Sequence, residues 1–207
     1  MPWLLLLADL SDFTVPEVDP LVDATVLAAE VATRCGDPYS LAELTFTFVL
    51  EVDGQERARR THVWRPRDGT VTVSWEGEQV ALESIHPYVA SPDPIGKAID
   101  AYSWFINDSY WLLAPCKVLD PGVTQAVTTA GQLALSFSPE TGVTPADRYW
   151  LTVNEGVVQS WDYLLQDGGH ATFLWDPPRR YGSLELSPRR VSADGTVIIR
   201  FEEIRAQ

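Results

Sequence analysis

The sequence predicts an α+β protein, mainly β, in which two helices cover one curved antiparallel sheet of roughly ten strands. Three observations predict it. Apolar and polar residues alternate with a period of two in many short segments. Turn signals such as Asp-Gly and Glu-Gly lie between neighbouring segments, as hairpins require. Two other segments, near Asp19 and near Pro94, carry apolar residues at helical spacing.

The first helix is predicted to follow an extended N-terminal arm, residues 1–20. Asp19 is its expected start, Pro20 suits its first turn, and Gly36 ends the pattern. The face expected to lie on the sheet consists of residues that recur at helical spacing: Leu21, Val22, Thr25, Val26, Ala29 and Ala32.

Four strands of an antiparallel meander are predicted next. In the clearest one, residues 44–52, large apolar side chains alternate with threonine, valine and glutamate. Asp53-Gly54 is a hairpin signal that leads into a return strand. The other three predicted strands are 57–65, 70–75 and 79–83.

A second helix and its exit loop, residues 94–123, are predicted to interrupt the meander. Residues 101–123 combine more aromatic surface and more polar groups than any other stretch of the chain. Asn107 and Asp108 compete with a helical backbone for hydrogen bonds, so a plain core helix would not need them. Pro115 is expected to end the helix. We interpret the stretch as a helical lid that packs against the sheet.

The rest of the chain is predicted to be strand. The expected strands are 132–137, 148–154, 157–165, 171–175, 183–186 and 196–204. Glu155-Gly156 and Asp194-Gly195 supply turns between them. Because the chain shows no internal repeat and no convincing linker, we expect a single domain that spans residues 1–207.

The charge of the chain limits its partners. A formal net charge of −14 argues against nucleic acid and against anionic membrane surfaces, and favours a monomer. The apolar run 3–7 lacks a basic leader and ends near Asp9, so it is neither a complete signal peptide nor a membrane span. The protein is therefore cytoplasmic, or its signal lies upstream of this start, or a leader has been removed.

The order of elements resembles the half-barrel of the bacterial lipoprotein carrier and receptor proteins (LolA/LolB-like). Two segments resemble an uncharacterised bacterial family with that fold: NDSYWLLAPCKVLDPGV at 107–123 and GVTPADRYWLTV at 142–153. The resemblance implies the half-barrel fold, a hydrophobic ligand such as a lipid, an acyl chain or a lipoprotein, and a periplasmic or cell-envelope location.

The cysteines, histidines and arginine pairs suggest no metal, cofactor or catalytic site. For Cys116 we favour an inert buried thiol, with a Cys35–Cys116 disulfide as the alternative in an exported protein. The histidines have no companions at metal spacing and are expected on the surface or in loops: His62, His86 and His170. The pairs Arg179-Arg180 and Arg189-Arg190 are expected on a solvated face.

The candidate binding residues are aromatic. They are predicted to line a hydrophobic cavity of the half-barrel: Phe46, Phe48, Trp64, Trp104, Tyr110, Trp111, Trp150 and Trp161. The alternative is that they fill the core between helix and sheet.

A polar rim is predicted around this cavity, formed by Asn107, Asp108, Lys117, Asp120 and Arg148. Lys117 and Arg148 are the candidates for contact with a polar head group. The alternative for Lys117 is an internal salt bridge, with Asp120 fixing the turn that follows it.

Three functions remain open at this point. The first is non-enzymatic binding of a hydrophobic ligand in the half-barrel. The second is a packed structural or interaction domain without a small ligand. The third, a hydrolase of a polar lipid or glycan, requires two ionisable side chains that converge in the cleft with shifted pKa values.

Overall fold

Two α-helices and thirteen strands form the part of the chain that the computed structural model describes, residues 13–85, 95–137, 147–165 and 168–207. The helices are α1 (Ala24–Cys35) and α2 (Lys97–Leu113), with 3-10 segments at Pro38–Ser40 and Ala114–Lys117. The first strands are β1 (Leu44–Val52), β2 (Gln55–Arg65), β3 (Thr70–Trp75) and β4 (Glu78–Leu82). The later strands are β5 (Val123–Val127), β6 (Leu133–Phe137), β7 (Arg148–Asn154), β8 (Val157–Leu164), β9 (His170–Trp175), β10 (Arg179–Tyr181), β11 (Leu184–Leu186), β12 (Arg189–Ser192) and β13 (Val197–Ala206).

Eleven of these strands form one antiparallel sheet, in the order β4-β3-β2-β1-β13-β12-β9-β8-β7-β6-β5. The last strand, β13, pairs with β1 and β12 and so joins the meander of the first half to that of the second. The sheet is open, with β4 and β5 at its edges, and β10 pairs with β11 in a separate ribbon. The predicted fold class, one large antiparallel sheet with two helices, is confirmed.

Three hairpin turns depend on a glycine at the second of their two central positions. At Asp53-Gly54, Glu76-Gly77 and Glu155-Gly156, both residues have positive φ angles, between 46° and 81°. Two successive positive φ values define the type I′ turn, whose twist matches that of the flanking strands. These turns set the register of β1–β2, β3–β4 and β7–β8, as the sequence predicted.

The two faces of the sheet differ in chemistry. On the face that we call the inner face, buried aromatic side chains of β1, β2, β8 and β9 pack against α2. On the outer face of the central strands, Arg59 and Arg200 lie among the carboxylates of Glu51, Glu56 and Glu202. The main core therefore lies between the inner face and the helices.

Helix α1 begins later than predicted and buries the opposite stripe. Its N-cap is Asp23, whose carboxylate accepts a hydrogen bond from the Thr25 backbone N–H, whereas Asp19 caps a turn before the helix. Gly36 ends the helix, as predicted. The buried residues are Ala24, Ala28, Val31 and Cys35.

Apolar residues of the predicted face are exposed instead, with Leu21 at 93%, Val22 at 47% and Val26 at 72%. The buried stripe includes the small side chains of Ala24 and Ala28, which let α1 lie close to its neighbours. The spacing alone supported either stripe, and the prediction chose the wrong one.

Helix α2 contains the Asn107-Asp108 pair in its interior and ends at Leu113, where Pro115 was expected to stop it. Pro115 lies in the 3-10 segment that follows. The predicted helix start at Asp93-Pro94 and the anchor at 3–7 lie outside the described residues, as do residues 142–146 and His86. Of the predicted arm, Val18 forms an isolated antiparallel bridge with Thr128.

Three strands were not predicted: β5, β10 and β12. Each is short, at five, three and four residues. β12 carries Arg189 and Arg190, a pair that composition assigns to a solvated surface. Its pairing with β9 and β13 places it in the middle of the sheet.

Cys35 and Cys116 form a disulfide, with 5.0 Å between their Cα atoms. The expectation that Cys116 is an inert thiol was wrong, because α1 packs against the 3-10 segment after α2 and brings the two cysteines together. The bond ties the end of α1 to the exit of α2. Among the described helices, none is long and apolar enough to cross a membrane.

Candidate functional site

The inner face carries a layer of aromatic rings, contributed by strands from both halves of the sheet. In β1 and β2, period-two alternation directs Phe46, Phe48 and Trp64 to this face. In β8 and β9, the same alternation directs Trp161 and Phe173 to it. These five side chains are all nearly or fully buried, so they form the floor beneath α2.

Helix α2 adds its own aromatic residues to this floor. Trp111 lies edge-on to Trp161, with ring centroids 4.6 Å apart, and to Phe173 at 4.9 Å. Tyr110 packs on Tyr149 and Trp161. Most of the predicted cavity residues are therefore together, but α2 fills the space between them.

Trp104 lies in the N-terminal half of α2 and is half-buried. Its ring meets Trp75 of β3 edge-on at 4.8 Å, and the Arg60 guanidinium lies 5.2 Å from its centre. It thus belongs to the same layer, at the side of the sheet closer to β4.

Trp150 does not belong to this layer. Its neighbours in β7, Tyr149 and Leu151, face α2, so Trp150 points to the outer face and packs against Phe13 at 5.5 Å between ring centroids. In the register of β7 and β8, Leu151 rather than Trp150 lies opposite Trp161. Alternation along a strand separates the two tryptophans that the sequence analysis grouped.

A buried charge network joins α2 to β2. The Asp108 carboxylate accepts hydrogen bonds from Arg60 Nε at 2.7 Å and Nη2 at 2.8 Å, a bidentate arrangement. His62 Nε2 lies 2.9 Å from Asp108 Oδ2, and Asn107 Nδ2 donates to Oδ1 at 2.9 Å. Asp108 is fully buried, so it does not stand on a solvent-facing rim.

The network keeps Asp108 ionised. Burial by itself raises the pKa of this carboxyl, but the charge of Arg60 and the hydrogen bonds from His62 and Arg60 hold it below its usual range. His62, expected on the surface, is also fully buried and stacks on Phe46. Alternation in β2 was the available signal, since it places Arg60 and His62 on the same face as Trp64.

Lys117 and Asp120 of the predicted rim pair with each other, at 2.6 Å between Nζ and Oδ2. The Tyr39 hydroxyl donates to Asp120 and accepts from Lys117. This local ion pair agrees with the alternative interpretation of Lys117, an internal salt bridge instead of a head-group contact. The pair is separate from Asp108. Arg148 is exposed at the start of β7.

A second buried cation, Arg190, lies on the inner face of β12. Its Nη1 donates to the Ser187 carbonyl at 2.6 Å, and its Nη2 makes a long 3.4 Å contact with the Leu112 carbonyl of α2. The guanidinium lies 4.0 Å from the Trp175 ring centre and 4.9 Å from that of Phe201. The expectation that Arg190 lies on a solvated face was wrong, because β12 is a central strand.

Burial lowers the pKa of Arg190 to about 9, although Asp176 acts in the opposite direction. The group remains charged at neutral pH, and no carboxylate of the described residues forms an ion pair with it. Burial also raises the pKa of the Tyr110 and Tyr149 phenols, so both stay neutral.

Several buried polar atoms of the inner layer have no hydrogen-bond partner among the described residues. They are His62 Nδ1, Trp64 Nε1, Tyr110 OH, Trp161 Nε1, Trp175 Nε1 and Arg190 Nε. Buried polar groups in folded proteins are nearly always satisfied, so each of these atoms requires an explanation.

A small, solvent-open pocket lies at one end of this layer. It is bounded by the end of α1, the end of α2, the β7–β8 turn and the β10–β11 ribbon. Trp175, Leu112 and Ser187 line it, which places Arg190 directly behind its wall. In the described residues, no group of three or more His, Cys, Asp or Glu side chains is placed to hold a metal ion.

No family model and no curated protein matches this chain. Among solved structures, a LolA superfamily protein from Nitrosomonas europaea superposes with a TM-score of 0.53 at 9% identity, over 90% of this chain and 94% of that one. The chain has a LolA-like fold.

Two further solved structures are similar at a TM-score of 0.40 and 9% identity. One is a DUF1329 family protein from Desulfovibrio piger, which matches over 90% of this chain and 94% of that one. The other is a putative outer membrane lipoprotein-sorting protein domain from Vibrio parahaemolyticus, which matches over 88% and 91%. At this identity, the likeness concerns the fold.

Proposed function

We propose that this protein binds a hydrophobic ligand, such as a lipid or an acyl chain, between α2 and the inner face of the sheet, without catalysing a reaction on it. The observation that carries the proposal is the aromatic layer, which one helix covers on an open sheet. A ligand that enters between α2 and the sheet would contact Trp161 and Phe173 of the floor. Its binding would gain roughly 25 cal/mol for each Å² of apolar surface removed from water.

The attachments of α2 support its role as a displaceable cover. At its exit, Cys116 ties the chain to Cys35 of α1. Near its start, Lys97 pairs with Glu78, but both side chains are more than half exposed, so the pair contributes little. We infer that the disulfide keeps α2 beside the sheet when a ligand enters beneath it.

The network around Asp108 sets the closed position of this cover. It is the buried polar link between the middle of α2 and β2. Since both charges are satisfied only when the helix lies on the sheet, opening requires that Arg60 and Asp108 find other partners or water. The ligand must therefore compensate for the loss of this contact.

The fold and the disulfide both support the proposal. A LolA-like fold agrees with the lipoprotein carrier and receptor proteins that the sequence resembles. Disulfides persist in oxidising compartments, and Cys35–Cys116 therefore supports a location in the cell envelope.

A second candidate, a packed domain without a small ligand, is favoured by the tight contact of α2 with the floor. Trp111 alone contacts Trp161, Tyr163 and Phe173. In that case α2 never leaves the sheet, and the aromatic layer serves stability alone.

Native mass spectrometry of the purified full chain tests the proposal. We expect a one-to-one adduct, either a co-purified lipid or added dodecanoate. Trp111→Asp should abolish the adduct because it places a charge on the face of α2 that lies against the floor, and the milder Trp111→Gln should weaken it at least tenfold.

The matched control is Leu174→Asp, which places the same charge on the outer face of β9, where Leu174 is 54% exposed. It should leave the adduct intact. Cooperative urea unfolding of each ligand-free variant separates lost binding from lost folding. A wild-type protein that co-purifies without lipid and takes up no dodecanoate contradicts the proposal and favours the packed domain.

A further inference from the structure

The strongest unexplained feature of the inner face is Arg190. It is fully buried, has no paired carboxylate among the described residues, and keeps an unpartnered Nε. Burial of a cation without a paired carboxylate is costly, and other contacts of the fold must offset this cost. A structural role alone would be served equally well by an apolar side chain of similar size.

A second donor lies next to Arg190. The Nε1–H of Trp175, also buried and without a partner among the described residues, belongs to the ring over which the guanidinium lies. Arg190 therefore places a positive charge and an unused N–H beside a second unused N–H. Such a set matches an oxyanion, which accepts several hydrogen bonds and neutralises the charge.

The pocket gives this pair a route to solvent. Trp175 lines it, and so do Leu112 and Ser187, whose carbonyls accept the hydrogen bonds of Arg190. The contact with Leu112 is long at 3.4 Å, so a movement of α2 would release Nη2 toward the pocket at little cost.

The charges at the pocket mouth do not oppose an anion. Glu185 is the acidic residue among its described lining, and its carboxylate is paired with Arg34 at 2.7 Å. Asp176, the next acidic group toward Arg190, lies 3.5 Å from Arg189. Both carboxylates are thus compensated by other arginines, whereas Arg190 is not.

One wall of the pocket, formed by Trp175, adjoins the aromatic floor. Trp175 meets Trp161 edge-on at 5.3 Å, and Trp161 in turn contacts Trp111 and Tyr110 of α2. An anionic group at Arg190 would therefore stand at one end of the surface that an acyl chain covers.

We propose that Arg190 and the indole N–H of Trp175 bind the anionic head group of the ligand, a carboxylate or a phosphate, while its acyl chain lies along the aromatic floor. The assignment rests on the proposed function and specifies its ligand class: an anionic amphiphile with one chain end in the pocket. It replaces Lys117 and Arg148 as the head-group contacts, since Lys117 is already paired with Asp120.

The test compares three probes on the full, disulfide-bonded protein: dodecanoate below its micellar concentration, dodecan-1-ol, and inorganic phosphate. Binding is measured by isothermal titration calorimetry. We expect dodecanoate to bind at least tenfold more tightly than dodecan-1-ol, because only the carboxylate engages Arg190.

Arg190→Met should reduce this preference to about twofold and raise the Tm of the ligand-free protein, because it removes an uncompensated buried charge at similar volume. Trp175→Phe keeps an aromatic ring but removes the N–H, and should lower the preference severalfold. The matched control is Trp150→Phe, which removes a buried indole N–H from the outer face of the sheet. It should leave the preference unchanged.

The outcomes separate the two proposals. Equal affinity for both amphiphiles, unchanged by Arg190→Met, overturns the head-group site and leaves acyl-chain binding standing. Binding of phosphate alone, lost in Arg190→Met, supports an anion site for a free oxyanion and contradicts the acyl chain. No binding of any probe overturns both.

Discussion

A carboxylate inside the buried face of a helix requires positive partners, and Asp108 obtains them from β2. Arg60 donates two hydrogen bonds and His62 lies within hydrogen-bond distance of the same group. The pair is separated by 48 residues in the chain, so the contact forms only when α2 lies on the sheet. The ion pair adds little to the stability when it forms, because both charges must leave water. Removing one partner is costly, because the other charge then stays buried without a counter-charge.

We predict that Asp108→Asn lowers the free energy of unfolding by about 3–5 kcal/mol, because Arg60 then remains buried without its counter-charge. Urea unfolding at neutral pH, followed by far-UV circular dichroism, measures this loss. Glu56→Gln, which removes a carboxylate from the exposed outer-face network, is the control and should leave the stability nearly unchanged.

The lowered pKa of Asp108 predicts how the stability of the protein changes in acid. The folded-state pKa of Asp108 lies below its ordinary value of 3.8, so its contribution is complete above that value and is lost as the pH falls through the lower, folded-state pKa. The wild-type protein should therefore lose more stability than Asp108→Asn below about pH 4. Parallel acid-unfolding curves would contradict this role for Asp108.

At the residue scale, the sequence identified local pairs better than distant ones. Lys117 and Asp120 are three residues apart, and an internal salt bridge was one of the two interpretations of Lys117. Asp108 was grouped with them, although its partners lie on β2. Arg190 was misplaced because a polar four-residue strand gives no sign that its neighbours in the sheet will bury it.

At the scale of elements, local pattern decided most boundaries. β3 and β7 were predicted to the residue, because alternation and turn residues both mark their ends. The predicted stripe of α1 was wrong, because the spacing of its apolar residues fits two faces and only the sheet selects the one with small side chains. β5, β10 and β12 were missed because pairing with distant strands, and not propensity, makes them strands.

The disulfide is the covalent link between elements. It closes a chain segment with a sequence separation of 81, so its reduction should lower the free energy of unfolding by about 4 kcal/mol, mainly through the entropy of the unfolded chain. Urea unfolding with and without dithiothreitol measures the effect. The double substitution of Cys35 and Cys116 by alanine is the matched control, and it should show no response to the reductant; equal stability of the oxidised and reduced wild-type protein would contradict the prediction.

At the scale of the whole molecule, two meanders meet where β13 enters between β1 and β12. The sequence and its resemblance predicted an open antiparallel sheet with two helices, and this is confirmed. They did not predict the central pairing, because β13 joins strands at opposite ends of the chain. The arrangement leaves one aromatic face, one helix above it and a pocket at the end, which is the basis of the proposed function.

The measurement that tests this account most directly is photo-crosslinking with a dodecanoate that carries a diazirine at its chain end, followed by peptide mapping of the labelled protein. The account predicts labels on α2 and on the inner-face residues of β8 and β9, such as Trp161 and Phe173, and their loss when unlabelled dodecanoate competes. Labels confined to the exposed apolar residues of α1, such as Leu21 and Val26, or to Leu174 on the outer face, would show that the ligand adheres elsewhere and would contradict it.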